Sequence, residues 1–193
     1  MKIILASKSP RKKELMDLAG FDYEILVSDV DEIVTEDISL EEKSKEIAFR
    51  KAKKIFDNTQ GDRIIIGADT LVIKNNEALG KPKTRQEAIS MLKKIQGTSH
   101  KIYTSLVVLI ENAGEYKEYK ELFQVEVFVK EMSNQEIENY VDTNYDDVFN
   151  KAGSYSIQGR FSIFVQKTIG NFSAAIGLPI QRIYDILKEN DSL

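Results

Sequence analysis

The sequence has no cysteine, no tryptophan, three prolines and one histidine among its 193 residues. Without cysteine the chain cannot form a disulfide, a zinc–thiolate site or a thiol nucleophile. The single histidine, His100, precedes a predicted strand, where a hydrogen-bonded structural residue is the commoner role, and no Ser–His–Asp set is indicated. Any metal would therefore depend on oxygen ligands, which favours Mg²⁺ or Mn²⁺ over zinc.

Long apolar runs and an excess of positive charge are also missing. The net charge of -4 gives no support for binding a nucleic-acid polymer. No apolar run reaches the roughly 20 residues of a membrane span, which indicates no membrane association. The first residues, MKIILASKSP, hold too short an apolar run for a signal peptide. We therefore expect a cytoplasmic protein whose local cationic clusters meet small anions.

Strand and helix patterns alternate along the chain without internal repeats. Strands are predicted at 2–6, 23–27, 63–73, 101–110 and 116–130. Three helices begin with capping-box pairs, namely Ser39 with Glu42, Thr84 with Glu87 and Ser133 with Glu136. A first helix is predicted from Pro10 with Leu15, Leu18 and Ala19 on its buried face, and a last one from Pro179. These patterns predict an α/β or α+β domain with a mixed sheet.

The first predicted helix has the wrong charge at its start. Its first turn and the residue just before its cap contribute four cations: Lys8, Arg11, Lys12 and Lys13. A helix N-terminus carries partial positive charge and favours acidic groups. A strand leading directly into a helix is also a favoured phosphate site, so the cations indicate a bound anion, with Arg11 the best candidate. Alternatively, the lysine side chains extend into water at almost no cost.

Several further residues are candidates for chemistry. Asp69 ends an apolar strand, where a carboxylate can hold a metal ion or accept a proton from water. Glu32 lies in an acidic loop, which would otherwise be ordinary solvated surface. Lys51 shares the buried face of the second helix, so it either contacts phosphate or pairs with an acid. Gln158 offers an amide that could contact a nucleobase edge, although a lone glutamine is weak evidence.

The motifs, taken together, resemble those of one family. The segment 7-SKSPRKKEL-15 resembles the S-x-S-P-R-R-x-x-L signature of the Maf family of nucleoside triphosphate pyrophosphatases. The resemblance continues in order through the following segments: Asp31-Glu32, AFRKA at 48–52, 67-GADTLV-72, 80-GKP-82, 97–100, 151-KAGSYSIQG-159 and 177-GLP-179. Each motif alone is modest, whereas the ordered set across nearly the whole chain is specific.

The resemblance implies a fold and an activity. It implies a single domain over residues 1–193 with an α/β fold like that of inosine triphosphate pyrophosphatases: an elongated mixed sheet flanked by helices, with two lobes around a cleft. It also implies hydrolysis of a nucleoside triphosphate to the monophosphate and pyrophosphate with a divalent cation, and a homodimer. Arg11 and the Asp69-Thr70 pair resemble the branch that acts on dTTP and UTP, rather than the sister branch directed at 7-methyl-GTP.

The resemblance also assigns roles to individual residues. Asp69 is the expected catalytic proton acceptor, and Glu32 joins it in holding Mg²⁺ or Mn²⁺. The residues expected to select the substrate are Arg11, Thr70 and Gln158. The residues expected to bind phosphate are Ser7, Ser9, Arg11, Lys12, Lys51 and Lys81. Lys12 departs from the family's second arginine, which keeps the charge but loses the bidentate fork.

Two other hypotheses fit the same residues. In the first, the phosphate site senses nucleotides in a regulator of cell division or septum formation, and hydrolysis is incidental. In the second, the enzyme is a housecleaning pyrophosphatase of the inosine triphosphate type. Pyrophosphate release measured across a panel of nucleoside triphosphates separates all three.

Overall fold

The computed structural model describes residues 1–192 and has a mixed sheet flanked by helices. Its strands are β1 (Lys2–Leu5), β2 (Glu24–Ile25), β3 (Arg63–Lys74), β4 (Glu77–Leu79), β5 (Ser99–Asn112), β6 (Glu115–Val129) and β7 (Val165–Ile169). Its α-helices are α1 (Pro10–Leu18), α2 (Leu40–Asp57), α3 (Arg85–Ile95), α4 (Asn134–Thr143), α5 (Tyr145–Phe149), α6 (Phe172–Ile176) and α7 (Ile180–Glu189). The predicted α/β class is confirmed.

The sheet combines parallel and antiparallel pairs. Its strand order is β2-β1-β3-β5-β6-β7, with β4 paired to β3. Strand β1 is parallel to both β2 and β3, whereas β3–β4 and β6–β7 are antiparallel. Asn75 and Asn76, at φ of 53° and 61°, form the two-residue β3–β4 turn, as the K-N-N-E segment predicts.

The chain divides into two compact units, in agreement with the two predicted lobes. The first comprises Met1–Thr70, Thr104–Phe123 and the described residues from Gly177 onward. The second comprises Leu71–Tyr103 and Gln124–Ile176. Strands β3, β5 and β6 each contribute residues to both units.

The core of the first unit lies between α2 and the sheet. Ala48, Ala52 and Ile55 of α2 pack in one cluster with Ile4 of β1 and Ile65 of β3. The α2 residues recur at helical spacing, so the predicted apolar face is confirmed. This packing places the α2 residue Lys51 over the strand that carries Asp69.

The second unit has an aromatic core. Phe161 is fully buried, and its ring centroid lies 4.5 Å from that of Tyr155 and 5.3 Å from that of Tyr140. Arg85 of α3 joins Asp142 of α4 through two hydrogen bonds of 2.6 and 2.8 Å. The capping box predicted for α4 is confirmed, since Ser133 and Glu136 exchange both hydrogen bonds.

The buried face of α1 differs from the predicted one. Leu18 is 75% exposed and Ala19 is also exposed, whereas Lys12, Leu15 and Met16 are buried. The spacing 12, 15, 16 is also helical, so the apolar pattern alone did not distinguish the two faces. The buried face of α1 therefore includes the charged residue Lys12 and excludes Leu18 and Ala19.

The predicted strand at 23–27 was also too long, and some elements were missed. Only Glu24–Ile25 pairs with β1, over two residues. In α3 the buried residues are Ala88, Ile89, Leu92 and Ile95, whereas Met91 is half-buried. The sequence analysis did not predict α5, α6 or β7, which are each five residues long and too short for a clear period.

Candidate active site

The first unit gathers most of the predicted site residues beyond the carboxyl end of β1 and at the middle of β3, where Asp69 lies inside the strand rather than at its end. Strand β1 leads through Ala6 into the segment that begins α1, and β3 carries Asp69 and Thr70. The two strands are parallel, with Leu5 paired to Ile66, so the chain leaves β1 beside the part of β3 that continues to Asp69 and Thr70. This arrangement explains why motifs about sixty residues apart contribute to one site.

An ion-pair cluster lies at the centre of this site. Lys51 Nζ lies 2.8 Å from Glu32 Oε1 and 2.9 Å from Asp69 Oδ1. The Lys51 and Asp69 side chains are only 13% and 9% exposed, whereas Glu32 is 58% exposed. Burial disfavours the charge of Lys51, but the charge of Asp69 and the hydrogen bonds to both acids outweigh it and raise the Lys51 pKa.

The other carboxylate oxygen of Asp69 is available for a ligand. Asp69 Oδ2 is buried and has no hydrogen-bond partner among residues 1–192. A buried carboxylate oxygen without a partner is costly unless a ligand, a metal ion or water completes it. This atom is therefore the place in the cluster where an additional group fits.

Lys12 is the second cation in the cluster. Its side chain is buried, and burial lowers its pKa to about 8 from the ordinary 10.5. The charges of Lys51 and Arg11 lower the pKa further, while Asp69 and Glu32 oppose them. Lys12 is thus an ammonium group in an environment with too much positive charge, which a bound anion would relieve.

The four cations at the start of α1 differ in burial. Lys8 is exposed, and Lys13 forms an exposed ion pair with Asp17 at 2.7 Å. Arg11 is half-buried and Lys12 is buried. Among these four cations, Arg11 and Lys12 are thus the two whose side chains are withdrawn from solvent.

The N-terminus of α1 has the features of an anion site. Ser9 is the N-cap residue, yet its side chain makes no capping hydrogen bond within the described residues, and no acidic residue lies in the first turn. The backbone N–H of Ser9 donates to Ser7 Oγ at 3.2 Å. The helices with a side-chain cap, α2, α3 and α4, each have an acid in the first turn as well. The start of α1 is left for an external acceptor.

Two residues that the sequence analysis did not assign to the site complete it. Thr104 of β5 is buried, and its Oγ1 lies 3.1 Å from Thr70 Oγ1. A side chain at Gly177 would place its Cβ 3.4 Å from Thr70 Oγ1 and 3.6 Å from Lys12 Nζ, at a φ of +132°. Two features of the sequence could have indicated these residues: Thr104 is a threonine in an apolar strand, and Gly177 begins the G-L-P motif.

Glu32 is the residue of the acidic loop that joins the ion-pair cluster. Asp29 and Asp31 are exposed, and Asp31 Oδ1 accepts the backbone N–H of Ile33 at 2.8 Å. Arg50 of α2 donates to the Ile33 carbonyl at 3.1 Å. Arg50 and Lys51 thus both hold the loop that carries Glu32.

The remaining predicted residues belong to the second unit. Lys81 and Gln158 are both exposed there. Gln158 follows a buried segment that contains Tyr155. The Oη atom of Tyr155 lies 2.5 Å from Nε2 of His100, which is also buried. Burial, with a smaller effect of Lys74, lowers the pKa of His100 to about 4. His100 is therefore placed as a structural residue, the commoner role that the sequence analysis weighed.

The site residues fit a divalent cation that takes few protein ligands. Glu32 and Asp69 present carboxylate oxygens close together, and Asp69 Oδ2 lacks a partner. No group of three or more His, Asp or Glu side chains within residues 1–192 is placed to hold a metal. Mg²⁺ commonly uses one or two carboxylates together with substrate phosphates, which suits this arrangement.

Comparison with known proteins identifies the family. The family model described as Maf-like protein matches residues 2–190. The chain therefore belongs to the Maf family. No helix within residues 1–192 is long and apolar enough to cross a membrane.

Three curated relatives are named dTTP/UTP pyrophosphatase. The protein from Caldanaerobacter subterraneus subsp. tengcongensis is 40% identical over 97% of this chain and 88% of its own length. The protein from Desulforamulus reducens is 41% identical over 96% of this chain and 95% of its own length. The protein from Bacillus cereus is 40% identical over 98% and 96%. Among solved structures, a HAM1 protein from Coxiella burnetii aligns with 67% of this chain and 73% of its own, at 16% identity and a TM-score of 0.42.

Proposed function

We propose that this protein is a pyrophosphatase that hydrolyses dTTP and UTP to the nucleoside monophosphate and pyrophosphate. The observation that carries the proposal is the cluster of Lys12, Lys51, Glu32 and Asp69 at the start of α1 in a chain of the Maf family. The names of the relatives supply the substrates. Modified pyrimidine nucleotides are included, in a housecleaning role.

The triphosphate is held at the N-terminus of α1. Ser7, Ser9 and the first-turn N–H groups donate hydrogen bonds to phosphate oxygens. Arg11 and Lys12 neutralise the charge, and the triphosphate in turn offsets the cost of burying Lys12. Lys51 supplies a further ammonium group, and Lys81 of the second unit is included on the family resemblance alone.

Asp69 accepts the proton of the attacking water. Its Oδ2, which has no hydrogen-bond partner among residues 1–192, is the oxygen that receives the proton. Arg11, Lys12 and Lys51 stabilise the negative charge that develops on the phosphate oxygens and on the departing pyrophosphate.

Mg²⁺ or Mn²⁺ is proposed as the cofactor, held by Glu32 and Asp69. A divalent cation supplies Lewis-acid stabilisation of phosphate oxygens and orients the reacting groups. Glu32 is the more exposed ligand and comes from the loop that Arg50 and Lys51 hold. Asp69 is the buried ligand from β3.

Substrate selection is assigned to Arg11, Thr70 and Gln158. Thr70 Oγ1 pairs with Thr104 Oγ1 at 3.1 Å, and a side chain at Gly177 would place its Cβ 3.4 Å from the same oxygen. Arg11 carries a planar fork suited to phosphate or to a base edge. Gln158 is an exposed amide with donor and acceptor atoms for a pyrimidine edge.

The decisive experiment measures pyrophosphate release from a panel of nucleoside triphosphates with Mg²⁺ and with Mn²⁺. We expect turnover of dTTP and UTP well above that of purine nucleotides, and a loss of at least about a thousandfold in Asp69→Asn with the fold retained. Asp57→Asn, at an exposed ion pair with Lys53 on α2, is the matched control and should keep full activity. Near-normal turnover in Asp69→Asn would disprove the assigned role.

Three broader features belong to the same proposal. Residues 1–193 act as one domain, because β3, β5 and β6 run through both units. We place the protein in the cytoplasm and expect it to be a homodimer. Light scattering of the purified protein tests the homodimer. A nucleotide-sensing regulator would bind dTTP without releasing pyrophosphate, so the turnover assay also decides between the two functions.

A further inference from the structure

Lys51 lies where the divalent cation would be expected. Its ammonium group contacts Glu32 Oε1 at 2.8 Å and Asp69 Oδ1 at 2.9 Å, so one nitrogen bridges both proposed metal ligands. A divalent cation held by both carboxylates would compete with this ammonium group for them, although Asp69 Oδ2 has no hydrogen-bond partner among residues 1–192. An ammonium group and a metal ion cannot share that space, because both are cations and each needs close oxygen contacts.

We propose that Lys51 is an internal substitute for the metal ion, and that it must release the two carboxylates when a divalent cation binds. This inference rests on the proposed pyrophosphatase site. Lys51 keeps the buried Asp69 charge compensated while no metal is present, since an unpaired buried carboxylate is strongly destabilising. The released ammonium group is then available for the triphosphate.

The surroundings of Lys51 support an exchange rather than simultaneous binding. Lys51 and Asp69 are largely buried, so their attraction is weakly screened by solvent. Lys12 and Arg11 add positive charge nearby, as their effect on the Lys12 environment indicates. A free divalent cation would therefore face three positive side chains, and the phosphates of a nucleotide would remove that repulsion. The exchange predicts that metal and nucleotide bind together far better than metal alone.

Binding of Mn²⁺ alone, measured by electron paramagnetic resonance without nucleotide, tests the exchange. We expect Lys51→Met to bind Mn²⁺ roughly ten- to a hundredfold more tightly than the unaltered protein, because the competing charge-assisted hydrogen bonds are gone. Lys53→Met is the matched control on the same helix, where Lys53 pairs only with the exposed Asp57 in the contacts described, and should leave Mn²⁺ affinity unchanged.

A third variant separates this inference from the proposed site. Glu32→Gln removes one carboxylate and should weaken Mn²⁺ binding about tenfold or more. If Glu32→Gln weakens binding but Lys51→Met leaves it unchanged or weaker, the exchange is wrong and the metal site stands. If Glu32→Gln has no effect on Mn²⁺ affinity, the metal site itself is wrong, and the exchange with it.

A measurement on the unaltered protein covers the case in which Lys51→Met does not fold. Lysine ammonium groups held by carboxylates exchange protons slowly enough for detection by ¹H–¹⁵N NMR, and Lys51→Arg identifies the Lys51 signal. We expect saturating Mg²⁺ with pyrophosphate to shift this signal while the Lys53 signal stays in place. A Lys51 signal unchanged at Mg²⁺ saturation would overturn the exchange.

Discussion

Lys12 shows how one residue can be unfavourable for the fold and favourable for function. It is a lysine on the buried face of α1, beside Arg11 and near Lys51. Burial and the neighbouring cations lower its pKa to about 8, so the folded protein holds its proton less tightly than the unfolded chain. An anion bound at the start of α1 reverses this penalty. The positive charge at this helix start is therefore explained by the ligand rather than by the helix.

Lys12→Met should increase the stability of the protein and lower its pyrophosphatase activity. Because the folded pKa is about 8 and the ordinary value 10.5, the lysine opposes folding at pH 7, and this penalty fades as pH rises between those values. We expect the free energy of unfolding at pH 7 to rise by about 1–3 kcal/mol. We also expect kcat/KM for dTTP to fall at least about tenfold.

Chemical denaturation at pH 7 and at pH 10 checks this prediction. The increase in unfolding free energy from Lys12→Met should be smaller at pH 10, because there Lys12 of the unaltered protein is buried in its neutral form. Lys8→Met, at the exposed cation before α1, is the control and should change the unfolding free energy by less than about 0.5 kcal/mol. Equal destabilisation of both variants would contradict the burial argument.

The close packing of α2 on β3 controls the site at the level of whole elements. A Cβ built on Gly67 would lie 2.5 Å from the Ala48 carbonyl oxygen and 2.9 Å from Ala52 Cβ, so only glycine allows this approach. Gly67 lies two residues before Asp69, and Lys51 lies on the same helix as Ala48 and Ala52. The approach of helix to strand therefore sets the Lys51–Asp69 distance.

Gly67→Ala should move α2 away from β3. We expect a loss of about 1–3 kcal/mol in unfolding free energy from overpacking, together with a marked fall in kcat from the disturbed ion pair. Thermal unfolding and dTTP turnover measure the two effects. Gly80→Ala is the matched control for stability, because a Cβ at Gly80 meets nothing within 4 Å. A Gly67→Ala variant as stable and active as the unaltered protein would refute the packing argument.

The capping box of α4 acts within one element. Ser133 and Glu136 exchange hydrogen bonds between their side chains and each other's backbone N–H groups. Ser133→Ala should cost about 1 kcal/mol of unfolding free energy without changing turnover. Ser90→Ala, at an exposed position inside α3, is the control and should be neutral or slightly stabilising, because alanine is the better helix former. Chemical denaturation of both variants measures the difference.

At the scale of the whole molecule, the single histidine makes one pH dependence simple to identify. His100 is buried, its Nε2 is paired with Tyr155 Oη, and its Nδ1 has no partner within the described residues. Burial favours the neutral ring, and the pKa of His100 falls to about 4 from 6.5. The unfolded chain therefore binds a proton between these values that the folded protein does not.

The protein should lose stability as pH falls from about 6.5 to about 4, by an amount on the order of 3 kcal/mol from His100 alone. His100→Gln should be less stable than the unaltered protein at pH 7.5 and should lose less stability over the same pH range. Chemical denaturation at half-unit pH intervals gives the slope of unfolding free energy against pH for the unaltered protein and for His100→Gln. Parallel slopes for the two proteins would show that His100 does not titrate as the structure requires.

Features that depend on neighbouring residues in the chain were predictable. The helix caps at Ser39, Thr84 and Ser133 and the turn at 74–77 follow from side chains acting within about four residues of themselves. The ordered motifs indicated the Maf family, which the family model confirms. The buried face of α1 was predicted wrongly, because apolar spacing fitted two faces and a lysine occupied the correct one.

Contacts between distant parts of the chain required the tertiary structure. From the sequence, Lys51 could either contact phosphate or pair with an acid. In the structure, the packing of α2 on β3 places Lys51 against both Glu32 and Asp69. Thr104 and Gly177 entered the site only because β5 and the segment before α7 approach Thr70. Local patterns carry information about hydrogen bonds within one element, whereas these distances depend on how closely separate elements pack.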